Sequence, residues 1–147
     1  MEIDRIEIHR VGLEEIIDLR HAVLRIGYGR EAAYFPGDDH PQTVHLAAKA
    51  GGRVIACATV LVNEWAGNPA CQLRGMAVDP DHQRHGLGRE LLLNIEIIAR
   101  EKSADVVWAN CRTPAVPFYR KNGWEIVSEE FEIPTAGPHF RMIRRLS

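Results

Sequence analysis

The most constraining feature of this 147-residue chain is a strand, a glycine-containing turn and a long helix that follow one another between positions 71 and 102. Residues 71–78 are mostly apolar and predict a strand. Residues 86–102 predict the clearest helix, because their apolar side chains recur at helical spacing: Leu87, Leu91, Leu92, Ile95, Ile98 and Ala99. A second strand is predicted over 105–110. A strand, a helix and a further strand in this order predict a crossover, and hence an α/β protein.

The remaining segments predict a mixed sheet whose first half is mainly antiparallel. Glycines at 51 and 52 favour a hairpin turn, and the glycine at 12 separates a strand from a helix with acidic residues in its first turn. The predicted strands outside the crossover are 3–11, 43–49, 53–62, 124–131 and 139–146, and the predicted helices are 13–26 and 114–122.

Composition excludes several classes of protein. The length predicts a single domain over 1–147, and the net charge of −2, with both signs interspersed, argues against a nucleic-acid partner. The beginning of the chain does not resemble a signal peptide, and the longest apolar run is far shorter than the ~20 residues of a membrane span. Three scattered cysteines predict neither a disulfide framework nor a metal site. We therefore expect a cytoplasmic protein.

The turn before the long helix has the features of an anion-binding site. A glycine turn at a helix start lets backbone N–H groups reach phosphate oxygens, and the helix dipole adds positive character there. The basic side chains His82, Arg84, His85 and Arg89 stand in or next to this turn, where cations oppose the dipole by ~0.3–1 kcal/mol each unless an anion binds. The alternative is a plain turn with solvated basic residues. A Walker A loop and the dinucleotide fingerprint are both excluded, since no Gly-Lys-Ser/Thr triplet exists and Leu91 stands where a third glycine is needed.

Two motifs in this chain resemble signatures of the GNAT superfamily of N-acetyltransferases. The family pattern Gln/Arg-x-x-Gly-x-Gly/Ala stands here as Gln83-Arg84-His85-Gly86-Leu87-Gly88. About 30 residues later, a second pattern stands as Ala115-x-x-Phe118-Tyr119-x-x-x-Gly123-Trp124. The segment 137–142 also resembles the G-I-P-H-x-x-M strand that closes one bacterial branch of the family. The order of strands and the length match as well, so the resemblance covers nearly the whole chain.

This resemblance implies the GNAT acyl-CoA N-acyltransferase fold, a mixed central sheet of about six to seven strands flanked by about four helices. It also implies acetyl-CoA as the acyl donor, an amine as the acceptor and no metal. The end of the fourth strand would pair with the pantetheine arm, and the amides of 84–89 would cradle the pyrophosphate. The implied cofactor-binding residues are Met76, Ala77, Val78, Gln83, Arg84, His85, Gly86, Leu87, Gly88, Arg89 and Asn110.

The same resemblance implies that Tyr119 is the catalytic acid. A thiolate is a poor leaving group at neutral pH, and a phenol with a pKa of ~10 can supply the missing proton. The alternative for Tyr119 is a packing role, and Phe118 is interpreted as a core residue. Many family members carry asparagine seven residues before this tyrosine, where this chain has Arg112. Asn110 is the alternative contact for pantetheine. Trp124 replaces the usual phenylalanine, which affects packing rather than chemistry.

The general base is not identified by the sequence. An ammonium acceptor must lose a proton before it attacks, and the strand over 71–78 contains no glutamate that could take it. A chain of water molecules without a single base is equally consistent with the sequence. We interpret Cys111 as a core residue, because direct transfer needs no thiol nucleophile. The candidate bases are Glu64, Asp38, Asp39, His45 and His139.

The sequence therefore predicts an N-acetyltransferase that works by direct transfer in a ternary complex of enzyme, acetyl-CoA and amine. A non-catalytic acyl-CoA-binding regulatory module is the main alternative, and the retained Tyr119 argues against it. An enzyme that acetylates charged tRNA is disfavoured by the absence of a basic stripe. The acidic loop over 27–41 favours a cationic amine. A homodimer is left open.

Overall fold

The computed structural model describes residues 6–83 and 85–146. Its described part contains eight strands, three α-helices and three short 3-10 turns at Arg30–Ala33, Pro80–His82 and Thr113–Ala115. In chain order the elements are β1 (Ile8–Val11), α1 (Leu13–Leu24), β2 (Val44–Ala50), β3 (Arg53–Trp65), β4 (Asn68–Val78), α2 (Leu87–Glu101), β5 (Val106–Arg112), α3 (Val116–Lys121), β6 (Glu125–Ile126), β7 (Phe131–Ile133) and β8 (Gly137–Arg145).

The strands form one open sheet in the order β1-β2-β3-β4-β5-β8-β6, with β7 also paired to β8. The pair β4–β5 is parallel, whereas β1–β2, β2–β3, β5–β8, β6–β8 and β7–β8 are antiparallel. The parallel pair is the one that α2 connects, as the crossover in the sequence requires. The predicted mixed α/β class is confirmed, with eight strands and three α-helices in the described part of the chain.

The chain divides into two compact units. The first unit comprises the described residues up to Leu61 together with Gly75–Ile95. Its core includes apolar residues from α1, β2, β3 and β4, because each of these elements turns one side inward. The central members of that cluster are Ile16, Leu19, Ala47, Cys57 and Ala77.

The second unit comprises Val62–Arg74 and the described residues from Glu96 onward. Alternation along β5 gives the strand two different faces. Val107, Ala109 and Cys111 are at most 2% exposed and form the buried face. Trp108 and Asn110 point to the other face and are only half-buried.

Several predicted boundaries change in the structure. Residues 3–5 of the predicted first strand lie outside the described residues, and β1 covers Ile8–Val11. The prediction that β3 ends at 62 is wrong, because β3 continues to Trp65 and meets β4 through a two-residue turn. Ala66 and Gly67 both have positive φ, 51° and 82°, which is the geometry of a tight hairpin.

The prediction of one strand over 124–131 is also wrong. This segment forms two short strands, β6 and β7, that both pair with β8. Between them the Ser128 Oγ atom accepts a hydrogen bond of 2.8 Å from the Arg141 backbone N–H. A side chain thus takes the place of a backbone acceptor. The chain leaves the ladder after Val127, whose N–H still donates to the Arg141 carbonyl at 2.9 Å.

Within residues 6–83 and 85–146, no helix has the length and hydropathy needed to cross a membrane. The same residues contain no group of three or more His, Cys, Asp and Glu side chains placed to hold a metal ion.

Candidate functional site

Asp79 fixes the turn that leads from β4 to α2. Its backbone N–H donates to the Ile55 carbonyl at 2.8 Å. Its carboxylate accepts hydrogen bonds from the Asp81 N–H at 2.9 Å and from Arg53 Nη1 at 2.6 Å. The Asp81 N–H, and then Arg53, lower the pKa of this carboxyl group below its ordinary value. Asp79 was not predicted as a site residue, although an aspartate followed by Pro80 is a common start for a helical turn.

The start of α2 presents unpaired backbone donors. Gly86 has a φ of +79°, a left-handed conformation that glycine adopts without strain. The first backbone bond of the helix joins the Glu90 N–H to the Gly86 carbonyl at 3.0 Å. The N–H groups of Leu87, Gly88 and Arg89 precede that bond and have no acceptor within the helix. The Leu87 side chain is 5% exposed, so this residue offers the turn only its backbone.

Basic side chains surround this helix start. His85 and Arg89 are exposed, and neither has a carboxylate within ion-pair distance in the described part of the chain. His82 lies 4.0 Å from the Asp79 carboxylate. The Gln83 side-chain amide donates to the Val78 carbonyl at 3.2 Å and so joins the turn to the end of β4. The structure thus brings together all the predicted cradle residues except Arg84, which lies outside the described residues.

The end of β4 is the predicted contact for pantetheine. The pairing of β4 with β5 covers Ala70–Gln72 only. Residues 76–78 lie beyond that pairing, so in the described structure their backbone on that edge has no β5 partner. Gly75, immediately before them, has a φ of +65°, which bends β4 at this point. Backbone groups that are not used in strand pairing can bind a ligand, and the roles of Met76, Ala77 and Val78 stay predictions.

A fully buried ion pair organises the first unit beside this strand. Arg20 on α1 donates from Nη1 to Asp38 Oδ2 at 2.6 Å and from Nη2 to Asp38 Oδ1 at 3.0 Å. It also donates to the Ala33 carbonyl at 2.8 Å and to Thr59 Oγ1 at 2.7 Å. The Phe35 ring covers the guanidinium at 4.1 Å. We call these groups the Arg20 clasp; it ties the loop between α1 and β2 to α1 and β3.

His45 completes the Arg20 clasp. Its Nε2 lies 3.0 Å from the Asp38 carbonyl and its Nδ1 lies 2.8 Å from Thr59 Oγ1. Because a carbonyl only accepts, Nε2 carries the proton and Nδ1 accepts from the Thr59 hydroxyl. Asp38 and His45 are therefore both engaged in holding the loop, which argues against either as the general base. The charge of Asp38 is matched by Arg20, so it does not attract a cationic amine.

Tyr119 occupies a packed position in the second unit. It is 7% exposed, and its ring meets Phe118 and Trp124 edge-on at centroid distances of 5.3 and 5.2 Å. Burial, and then the neighbouring Cys111, raise the pKa of the Tyr119 hydroxyl well above its ordinary value. Burial likewise raises the pKa of Cys111 to about 12, against a hydrogen bond from Tyr119 that lowers it. Both groups are protonated at neutral pH, which fits a proton donor and a core thiol.

The half-buried face of β5 contains Asn110 and a guanidinium. Asn110 Oδ1 accepts a hydrogen bond of 3.2 Å from Arg141 Nε. The amide nitrogen of Asn110 has no acceptor among the described residues. It is therefore free to donate to a carbonyl of pantetheine, the contact that the sequence predicts. Arg112, at the end of the same strand, is exposed. Arg141 was not predicted from the sequence, because its setting depends on side chains of β5 and β7 that no contiguous motif brings together.

Among the candidate bases, His139 differs from the others. Its Nδ1 lies 2.8 Å from the Gly137 carbonyl and so carries the proton of the neutral ring. Nε2 then holds a lone pair and has no hydrogen-bond partner within the described residues. Glu64 and Asp39 are exposed side chains. A fixed tautomer with a free lone pair is the arrangement that a proton acceptor needs, and His139 stays a candidate on that ground.

The described chain combines an open mixed sheet with one parallel pair and a glycine turn at the start of the helix that follows its fourth strand. A family model for the acetyltransferase (GNAT) family matches residues 13–124. The chain therefore belongs to the GNAT family of acetyltransferases, and the predicted family and enzyme class are confirmed.

Relatives and solved structures agree with this assignment. An uncharacterized N-acetyltransferase of Bacillus subtilis, YitI, is 28% identical over 147 residues, covering 96% of this chain and 97% of that protein. The streptothricin acetyltransferase of Streptomyces lavendulae is 30% identical over 91 residues, which cover 60% of this chain and 47% of that enzyme.

The fold is shared with more distant structures. Escherichia coli ElaA superimposes with a TM-score of 0.78 at 18% identity, covering 96% of this chain and 100% of that one. An aminoglycoside 6'-N-acetyltransferase complexed with coenzyme A gives a TM-score of 0.77 at 13% identity, covering 96% and 97% of the two chains.

Proposed function

We propose that this chain transfers an acetyl group from acetyl-CoA to an amine, by direct attack of the amine on the thioester in a ternary complex. The observation that carries this proposal is the turn between β4 and α2. There three backbone N–H groups without helical acceptors, at 87–89, lie beside the exposed basic residues His85 and Arg89. Such a site stabilises a pyrophosphate. Family membership supports an acyl-CoA as the donor rather than another phosphate-bearing ligand.

The chemical step needs a group that protonates the leaving thiolate. Tyr119 supports this role because its hydroxyl keeps its proton at neutral pH. No thiol nucleophile is required, and the raised pKa of Cys111, about 12, makes a covalent acyl-cysteine step unfavourable at neutral pH. The proposed route is therefore a single transfer: the C–N bond forms, the C–S bond breaks and Tyr119 supplies the proton to sulfur. The proton lost by the amine nitrogen passes to a base or to water and balances the one that Tyr119 gives up.

The experiment is a thiol-release assay with acetyl-CoA and a panel of amines that includes polyamines, amino acids and peptide amino termini. Acetylated product is identified by mass spectrometry, and a reaction without amine measures hydrolysis. We expect release of free CoA that depends on at least one amine. If acetyl-CoA raises the melting temperature but no amine in the panel is acetylated, the binding-module alternative replaces this proposal.

The finer features stay predictions from the sequence: a single domain over 1–147, a cytoplasmic location and the absence of a nucleic-acid partner. A homodimer is left open.

A further inference from the structure

We propose that the acceptor amine also carries a carboxylate, and that Arg141 binds this carboxylate. This inference rests on the proposed acetyl transfer and adds a substrate class to it. It depends on four features of the second unit: the aromatic cover of Arg141, its unused donors, the other basic groups on its face and the contrast with neighbouring arginines.

Arg141 is held in place before any ligand arrives. Its guanidinium lies over the Trp108 ring at 5.4 Å and over the Phe131 ring at 5.6 Å. Its Nε donates to Asn110 Oδ1 at 3.2 Å. Two aromatic faces and one hydrogen bond fix the plane of the guanidinium, so little side-chain entropy remains to be lost when an anion binds.

The Nη donors of Arg141 are unused. Within residues 6–83 and 85–146 no carboxylate lies within ion-pair distance of this half-buried guanidinium. The next two arginines of β8 differ in this respect. Arg144 pairs with Glu96 at 3.2 Å and Arg145 pairs with Glu125 at 2.7 Å. A half-buried cation without a counter-charge is costly, and an anionic ligand removes that cost.

The same face of the sheet is basic. The register places Asn110 opposite Arg141 and Arg112 opposite His139, and alternation puts these four side chains on one face. Arg112 is exposed and has no carboxylate partner in the described part of the chain. On β7, alternation directs Glu132 to the opposite face from Phe131. Glu130, which precedes β7, accepts a hydrogen bond of 2.7 Å from Thr113 Oγ1. The face therefore favours an anion.

A carboxylate matches these donors better than other anions do. It is planar and carries one charge, and the two Nη groups of a guanidinium bind it in a fork-to-fork arrangement. A phosphate monoester carries nearly two charges and is usually held by several donors at once. The acceptor class is thus an aminocarboxylate, in which the amine reacts and the carboxylate anchors.

The test compares three aminocarboxylates with their carboxamides as acceptors: glycine, β-alanine and 4-aminobutanoate. We expect at least one acid to exceed its amide in kcat/KM by roughly 10–100-fold, the usual value of a hydrogen-bonded charge pair. Arg141→Gln should bring that ratio close to one by raising KM for the acid, while KM for acetyl-CoA stays unchanged. Arg145→Gln, which removes an exposed cation from the same strand, should keep the ratio.

A binding measurement separates this inference from the proposed function. The N-acetyl derivative of the preferred acid, or of glycine if no amine reacts, is titrated against tryptophan fluorescence, because Trp108 lies against Arg141. Saturable quenching by the acid, absent with its amide and lost in Arg141→Gln, supports the carboxylate site even if no acetyl transfer is found. If Arg141→Gln does not fold, Arg141→Lys replaces it in this experiment. We then expect weaker binding of the acid, because an ammonium group lacks the paired donors of a guanidinium.

Three results would overturn the carboxylate site. The first is equal use of acids and amides by an enzyme that acetylates amines, which would leave the proposed function intact. The second is a preference for a phosphorylated amine, tested with phosphoethanolamine. The third is quenching that persists unchanged in both Arg141 variants.

Discussion

Tyr119 combines two properties that a substitution can separate. Its ring is packed edge-on between two aromatic neighbours, and its hydroxyl donates a hydrogen bond to the sulfur of Cys111. The ring contributes buried apolar area, whereas the hydroxyl contributes one weak hydrogen bond to sulfur. A change that removes only the hydroxyl should therefore act on chemistry and leave packing in place.

We expect Tyr119→Phe to lower kcat by roughly 10²–10⁴-fold, the usual contribution of a positioned acid. The melting temperature should fall only slightly, because the lost bond is worth at most ~1 kcal/mol. The KM for acetyl-CoA should hardly change. Steady-state kinetics and thermal unfolding on one preparation measure these quantities. In the wild type, kcat should show no loss at the ordinary tyrosine pKa of ~10, since burial raises this pKa.

Cys111→Ala is the matched control for this experiment. It removes the partner of the hydroxyl and keeps the phenol, so a catalytic proton donor predicts that most of the rate remains. If both variants lose the same fraction of kcat, the rate depends on the contact between Tyr119 and Cys111 and not on proton donation by the Tyr119 hydroxyl. An unchanged kcat in Tyr119→Phe would assign the proton to water or to another group.

The start of α2 contains a glycine that the helix itself does not need. Gly88 lies in the first turn of a 15-residue helix, where alanine is more favourable by up to ~1 kcal/mol. A residue that weakens its own helix is readily explained if a Cβ would obstruct a ligand at the backbone N–H groups. The helix and the ligand thus favour different residues at this position.

We expect Gly88→Ala to leave the unliganded protein as stable as the wild type or slightly more stable. The rise in melting temperature produced by acetyl-CoA should be clearly smaller, because the added methyl keeps the pyrophosphate from the amides. Differential scanning fluorimetry at increasing acetyl-CoA concentrations measures both effects.

Gly12→Ala is the matched control for Gly88→Ala. Gly12 precedes α1 with a φ of −78°, and a Cβ there meets no atom within 4 Å. The acetyl-CoA shift should be unaffected by this change. An equally undiminished shift in Gly88→Ala would mean that the turn is only a connection between two elements.

Elements that depend on local pattern were predictable. The apolar stripe of α2 predicted 86–102 and the helix covers Leu87–Glu101, because periodicity and the glycine turn act within a few residues. The single strand over 124–131 was not predictable in the same way. Its interruption depends on Ser128 reaching the backbone of Arg141, 13 residues later.

The candidate site was predictable only where a motif is contiguous. The turn at 83–89 and Tyr119 stand in short patterns, whereas the partners of Arg20 and Arg141 come from distant segments. One signal for Arg20 was present: it lies four residues after Ile16, on the apolar side of α1. A cation in an apolar stripe requires a buried partner. Which acid pairs with Arg20 depends on the path of the loop between α1 and β2, and such a path leaves no periodic pattern in the sequence.

Stability of the whole molecule should depend strongly on the Arg20 clasp. We expect Asp38→Asn to lower the free energy of unfolding by ~3–5 kcal/mol, because Arg20 would remain buried with its charge unmatched. Urea denaturation followed by circular dichroism measures this loss. A loss this large is a substantial fraction of the 5–15 kcal/mol of an ordinary domain.

Asp39→Asn provides the control at the next position. Asp39 carries the same charge on the same loop but is exposed, so its neutralisation should change stability by less than ~0.5 kcal/mol. If the two variants unfold at the same urea concentration, the Arg20 clasp contributes no more than a surface charge does.

Gly75 links the bend in β4 to the same clasp. A Cβ at this position would lie 2.9 Å from Arg20 Nε and 3.2 Å from the Phe35 ring. A single added methyl group there would press on the guanidinium and on its aromatic cover at once. A larger residue at position 75 is therefore disfavoured twice: it collides with both neighbours, and the φ of +65° strains any L side chain even where positions 20 and 35 have become smaller. A sequence that has lost the glycine but kept both neighbours should be rare among descendants of this fold.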